Sequence, residues 1–300
     1  MKNYDVVVIG GGPAGLAAAE SACKAGAKTA VLEREARLGG ILKQCVHDGF
    51  GLIRFGEKLA GPEYAERYID FVKALPIDAY TLTFVTKLEK KADGFAITCV
   101  SREGMLDFTA KAIVLATGCR ERTAKQVLIQ GTRPAGVFTA GTAQNFVNLM
   151  GKMPAKKCVI LGSGDIGLIM ARRMTLEGAH VERVIELMPY SGGLKRNIVQ
   201  CLEDFGIPID YSHTVTRVVG KPRMEGLYYA PVDENRRPVL SEEKFIPCDC
   251  LLLSVGLIPE NDILTDTSVK LSRITSGAEV DENRMTTVPG VFSCGNVLHV

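Results

Sequence analysis

The sequence has no tryptophan and no block of basic residues interleaved with aromatics, and only 6% of it is aromatic. Lysine and arginine (36) nearly cancel aspartate and glutamate (34), leaving +2, so nucleic-acid binding and polybasic membrane attachment are poor explanations of this chain. No apolar run is long enough to cross a bilayer, which takes about 20 residues. The longest, Val6 to Ala19, is 14 residues and contains three consecutive glycines. Nor is it a continuous signal-peptide core: Lys2 precedes it and Ala17–Ala19 follow, but Val6–Ile9 stops at Gly10 and a helical pattern restarts at Ala14. Nine cysteines, an odd number at irregular spacing, do not form a secreted disulfide framework, and a reducing cytoplasm is the expected compartment. Missing too are a Cys-x-x-Cys pair, a Gly-x-Ser-x-Gly hydrolase element, and any grouping of Cys, His, Asp and Glu with metal-ligand spacing. No metal is expected.

What is present is glycine, 31 residues against the roughly 21 that average usage gives. The 46% hydrophobic and 23% charged balance is that of a globular protein, and 300 residues suggest about two domains. Strand-like and helix-like runs alternate, the βαβ pattern of a parallel sheet. Val6–Ile9 reads as a strand, Ala14–Lys24 as a helix, Ala27–Leu32 as a strand and Glu57–Ala74 as a helix. The rhythm then changes to three short strands, Phe84–Leu88, Phe95–Val100 and Met105–Thr109. They are separated by the hairpin signals Asp93-Gly94 and Glu103-Gly104 and followed by a buried-type strand, Ala112–Ala116.

The programme then repeats. Cys158–Leu161, Ile166–Glu177, Val181–Glu186 and Leu194–Phe205 read as strand, helix, strand and helix. Val215–Val219, Glu225–Ala230 and Glu243–Ile246 form a second meander, and Cys250–Val255 is the return strand. Two copies about 150 residues apart imply an α/β protein of two Rossmann-like, three-layer ββα domains, the second inserted in the first. The expected division is 1–118 plus 255–300, and 119–254.

Each copy carries a glycine loop between a strand and a helix. The first is Gly10-Gly11-Gly12-Pro13-Ala14-Gly15, and Glu33 ends the next strand 23 residues after Gly10. The first glycine permits a tight turn, the second a close approach to a pyrophosphate, and the third helix–strand packing. The helix N-terminus adds N–H donors, and the acid can accept ribose hydroxyls. The second is Gly162-Ser163-Gly164-Asp165-Ile166-Gly167, with Glu186 24 residues after Gly162. That carboxylate would repel a 2′-phosphate and favours NAD(H) over NADP(H), although Lys195 and Arg196 stand nearby in sequence.

With these motifs the chain resembles the pyridine nucleotide-disulfide oxidoreductase superfamily, the two-dinucleotide-binding-domain flavoproteins, in its thioredoxin-reductase-sized branch. Leu38-Gly39-Gly40, Ala116-Thr117-Gly118 and Val291-Phe292-Ser293-Cys294-Gly295-Asn296 complete the family's order of motifs. The resemblance implies that the first domain holds FAD through Gly10, Gly12, Pro13, Ala14, Gly15, Glu33, Arg34, Gly39, Gly40, Val85, Ala116, Thr117, Gly118, Gly295 and Asn296. It implies that the second holds NAD(H) through Gly162, Ser163, Gly164, Asp165, Ile166, Gly167, Glu186 and Gly256. Val255–Glu260 resembles the segment that returns the chain to the FAD domain.

Gly39–Gly49, Gly118–Thr123 and Pro189–Gly193 are similar to a narrower group. It comprises flavoproteins associated with anaerobic-type glycerol-3-phosphate dehydrogenases and nucleotide-binding subunits of amino-acid, opine and cyanide-forming dehydrogenases. That implies an FAD- and NAD(P)H-linked enzyme exchanging electrons with a partner dehydrogenase. A non-catalytic nucleotide-binding subunit of a dehydrogenase complex is the alternative. Neither electron acceptor nor oligomeric state is legible, and a homodimer stays open.

The chain departs from the disulfide-reductase pattern. Only Cys45 stands near Gly39-Gly40, and Cys248 and Cys250, a Cys-x-Cys, read as small hydrophobes on one face of a strand. A single-cysteine thiol or peroxide reductase using Cys45 is a further alternative, and His47 could donate a proton beside the flavin. Asn296 replaces the usual Asp with a neutral acceptor. Only four residues follow it, so the resemblance leads us to expect a first domain short of its last helix, an exposed apolar patch in its place and weakened flavin retention.

Overall fold

A computed structural model describes residues 2–300. The chain divides into two compact units, Met1–Arg120 with Ile258–Val300, and Glu121–Leu257. The cuts fall two to three residues beyond the expected ones, and local bonds show why. The Arg120 guanidinium pairs with Glu260 and Asp262 inside the first unit. In the second, the Arg122 N–H donates to the Gly256 carbonyl at 3.0 Å.

The first unit is built on β1 (Lys2–Ile9), α1 (Pro13–Lys24), β2 (Thr29–Leu32), α2 (Gly61–Lys73), β3 (Asp78–Tyr80), β4 (Phe84–Lys91), β5 (Gly94–Ser101) and β6 (Gly104–Leu115). The sheet runs β3-β2-β1-β6-β5-β4, and a tail strand, Val291–Ser293, also pairs with β6. The two strands read separately at 105–109 and 112–116 are one. No turn residue interrupts Gly104–Leu115, whose first half pairs antiparallel with β5 and whose second half runs parallel to β1. Alternation sets the layers: Val7 and Ile9 enter the core on one face of the sheet, Val8 the helix-side core on the other.

Helix α2 begins at Gly61, four residues after the expected Glu57. Gly56, at φ 68°, takes a left-handed turn, and the Glu63 carboxylate captures the Ala60 N–H at 2.7 Å, with Pro62 in the first turn. The short helix Leu52–Phe55 that precedes it had no legible sequence signal.

The second unit repeats the design with β7 (Val137–Thr139), α3 (Ala140–Asn148), β8 (Lys157–Leu161), α4 (Asp165–Leu176), β9 (His180–Glu186), α5 (Lys195–Cys201), β10 (Ile209–Tyr211), β11 (His213–Gly220), β12 (Met224–Pro231), β13 (Lys244–Pro247) and β14 (Cys250–Leu253). A parallel sheet, β7-β14-β8-β9-β10, lies between a helix-side core and a meander-side core. Along β14, Cys250 and Leu252 enter the first core, Leu251 and Leu253 the second. The helix expected over 194–205 is shorter, and its last turn is 3₁₀, closed by Gly206 in the left-handed region.

Candidate functional site

In the first unit, β1 delivers the chain into the glycine loop and α1 leaves it. Built Cβ atoms separate the glycines by role. One on Gly10 would lie 2.3 Å from the Ala116 carbonyl oxygen, and one on Gly15 1.9 Å from that of Gly10, so both are glycine for the sake of the fold. Gly12 is different. Its φ is −77°, open to any residue, and the nearest atom to a built Cβ is Gly40 Cα at 3.9 Å. The second loop repeats this: Gly162 and Gly167 lie against backbone oxygens at 2.0 and 2.5 Å, whereas Gly164, at φ −64°, meets only Ser254 Oγ at 3.8 Å. In both loops the middle glycine leaves open a cradle that the fold itself does not need and that a Cβ would fill.

Two buried carboxylates complete the parallel. Glu33 Oε2 accepts the Gly11 N–H at 2.7 Å and its Oε1 the Glu35 N–H at 2.7 Å. Glu186 Oε2 accepts the Ser163 N–H at 2.8 Å and its Oε1 the Met188 N–H at 2.8 Å. Glu33 is 5% exposed and Glu186 8%, each held at the C-terminal end of its strand by main-chain donors.

Further segments close on the first loop. The Gly39 N–H donates to Gly11 O at 2.8 Å, and a Cβ on Gly40 would stand 2.9 Å from Gly12 Cα. Gly295, at φ +76°, approaches Ala14, and the Asn296 amide donates to Cys119 Sγ at 3.6 Å. The Thr117 hydroxyl donates to Glu260 O at 2.8 Å, and the Glu260 N–H to Gly118 O at 3.0 Å. Arg34 is exposed beyond Glu33. Val85 turns its side chain against the core, two residues after Thr83, whose N–H donates to Glu33 O. In the second unit Gly256, at φ +99°, lies beside Arg122.

The cradle, the buried acid and the free helix N-terminus fit a pyrophosphate and an adenosine ribose in each unit.

The cysteines fall elsewhere. All nine are free. Cys248 and Cys250 do not share a strand face: Cys248 precedes β14 and enters the meander-side core, while Cys250 enters the helix-side core. Burial pushes Cys158 and Cys248 up to about 12 and raises Cys250 as well. Cys45 packs beneath the start of α2, where its thiol donates to Ile41 O at 3.3 Å and burial pushes it up to about 11. His47 is half-buried, with Nδ1 3.0 Å from Asp48 O and its ring 5.2 Å from that of Phe50. Among the described residues no group of three or more Cys, His, Asp or Glu could hold a metal, and no helix is long and apolar enough to cross a membrane.

Sequence reasoning missed the work of the segment Pro189–Gly193. The Ser191 hydroxyl donates to Ser163 O at 3.0 Å and the Gly192 N–H to Ser163 Oγ at 3.3 Å, and the Leu194 N–H then reaches Asp165 Oδ1 at 2.8 Å. The signal was its glycine pair: a Cβ on Gly193 would lie 2.8 Å from Ser163 O.

The profile of the pyridine nucleotide-disulphide oxidoreductase family matches residues 4–300. The chain belongs to this family. Its members are FAD- and NAD(P)-dependent oxidoreductases. The chain is 26% identical to one of the subunits of the opine oxidase of Agrobacterium tumefaciens, over 98% of its own length and 61% of that protein's. It is 25% identical to one of the subunits of the alkyl hydroperoxide reductase of Staphylococcus aureus, over 99% of its length and 54% of that protein's. It therefore spans a little over half the length of these relatives. Among solved structures, thioredoxin reductase of T. acidophilum superimposes with a TM-score of 0.81 at 26% identity, covering 99% of this chain and 91% of that one.

Proposed function

We propose that this chain is an FAD-dependent oxidoreductase that moves hydride between a pyridine nucleotide, NAD(H) before NADP(H), and flavin. It would exchange the electrons with a partner dehydrogenase. The observation that carries the reading is the pair of middle glycines, Gly12 and Gly164. Neither backbone conformation nor packing calls for glycine there, and a pyrophosphate drawn close to the backbone does.

FAD held by the first loop would supply two-electron redox chemistry. The chain's own residues bind and orient. Glu33 offers an open acceptor position on each oxygen to one ribose. The N-termini of α1 and α4 present N–H groups to the two pyrophosphates. Asn296, its Nδ2 committed to Cys119, is left with Oδ1 to accept a ribityl hydroxyl. Glu186 in the second loop supports NAD(H). A thiol reductase centred on Cys45 has little support, because burial holds that thiol protonated where a nucleophile needs thiolate. The partner has one support outside the chain: one similar protein is itself one of the subunits of an opine oxidase.

The test is the absorption spectrum of the purified chain, reconstituted with FAD and titrated with NADH. A bound-flavin spectrum that bleaches with NADH is expected. Protein that neither takes up flavin nor bleaches overturns the proposal.

A further inference from the structure

The two loops differ in one chemical group next to the acid. The first has Gly11 at its second position, the second Ser163. A carboxylate has about four acceptor positions, two on each oxygen. Glu33 uses one on each, for Gly11 and Glu35. Glu186 uses both on Oε2, for the Ser163 N–H at 2.8 Å and the Ser163 hydroxyl at 2.6 Å, and one on Oε1, for Met188. Among the described residues, then, Glu33 keeps an open position on each oxygen and Glu186 a single one, on Oε1. The Ser163 hydroxyl is fully buried, and its oxygen also accepts the Gly192 N–H at 3.3 Å, so its proton cannot swing away.

A ribose with free 2′- and 3′-hydroxyls needs two acceptor positions to be gripped by both, and one carrying a 2′-phosphate has only one hydroxyl to offer. We propose that Ser163 is a specificity-determining positioning residue. By filling Glu186 Oε2 it limits the second unit to a single ribose-hydroxyl bond and makes it a weak discriminator between NADH and NADPH. The inference rests on the dinucleotide reading of this loop. Two cations support it. Lys195 and Arg196 stand exposed in the first turn of α5, whose start is tied to the loop through Leu194 and Asp165, and neither forms an ion pair among the described residues. They supply two positive charges that offset the repulsion of Glu186 and Asp165 for a 2′-phosphate.

The experiment is equilibrium titration of the flavin-loaded chain with NADH and NADPH, for the native protein and for Ser163→Ala and Ser163→Gly, the glycine being the first loop's own residue. Freeing Oε2 is expected to tighten NADH about tenfold, the usual worth of a hydrogen bond to a charged acceptor, and to leave NADPH unchanged. A merely structural hydroxyl would weaken both nucleotides together, and an unchanged NADPH-to-NADH ratio overturns the proposal. The native protein gives a second readout. Of 2′-deoxy-NADH and 3′-deoxy-NADH, one is expected to bind as well as NADH and the other about tenfold more weakly. Equal losses for the two overturn the single-hydroxyl grip. Native protein that binds neither NADH nor NADPH overturns the dinucleotide reading itself, and this inference with it.

Discussion

Glu33 is tied to the loop it serves through two main-chain N–H groups, one on each carboxylate oxygen. Replacing it with glutamine turns one of those oxygens into an NH₂ facing an N–H donor and removes the charge that both bonds rely on. Losing one charge-assisted bond of this kind is worth about 1.5–3 kcal/mol. Glu33→Gln is therefore expected to weaken FAD binding roughly tenfold to a hundredfold, with NADH affinity unchanged; flavin-fluorescence titration of the apoprotein measures the first and NADH titration the second. Cys45 gives a prediction of the opposite kind. Burial moves its thiol from an ordinary 9.0 to about 11. Only thiolate is alkylated, so at pH 8 Cys45 should react about a hundredfold more slowly than a free thiol and speed up about tenfold per pH unit toward pH 11. Because the folded pKa is the raised one, the thiol's contribution to stability is fully present below pH 9 and is lost as pH climbs through 11. Mass spectrometry of the Cys45 peptide after timed iodoacetamide treatment reads the rates. A rate already level by pH 7 would mean an activated thiolate instead.

At the scale of elements, the loops make a prediction that separates folding from binding. Gly15→Ala and Gly167→Ala drive a Cβ into backbone oxygens at 1.9 and 2.5 Å, contacts no rotamer relieves. They should destabilise the chain by at least about 2 kcal/mol. Gly12→Ala and Gly164→Ala have room, and should hold the melting temperature while losing FAD and NADH binding respectively by more than about tenfold. Thermal melts beside nucleotide titrations check all four. These loops were legible in the sequence because a strand, three spaced glycines and an acid some two dozen residues on are all local signals. What was not legible depended on contacts. The division of β6 into two strands came from expecting a break between meander and parallel sheet, when one strand serves both. β7 and α3 carried only a weak signal in Ala140, Ala143 and Val147, which share the helix-side core. The Ser163 hydroxyl between Glu186 and Gly192 joins segments more than twenty residues apart, and no spacing rule points to it.

At the scale of the whole molecule, the two units are built differently from the chain. The second is one unbroken stretch, Glu121–Leu257, with a core on each side of its own sheet. Both Ser163 and Glu186, and the segment Pro189–Gly193 that closes on them, lie within it. The first unit is made of two stretches, and the later one is essential to it. The tail strand Val291–Ser293 pairs with β6, and Leu264, Val269, Val288, Val291 and Val297 are buried in the same core as Val7, Ile113 and Leu115. Five buried side chains of this size represent roughly 7–15 kcal/mol, as much as the whole net stability of a domain. Residues 121–257 expressed alone should therefore fold and bind NADH within about threefold of the intact chain, as expected of a domain with its own core. They should take up no FAD. Residues 1–120 alone should fail to fold, although they hold the first glycine loop, Glu33 and the Ala116–Gly118 strand end. Circular dichroism melts and NADH titrations of the two fragments decide it. A cooperative melt from residues 1–120 would mean that the tail's burial adds little to that core. NADH binding lost from residues 121–257 would mean that this unit does not hold the nucleotide by itself.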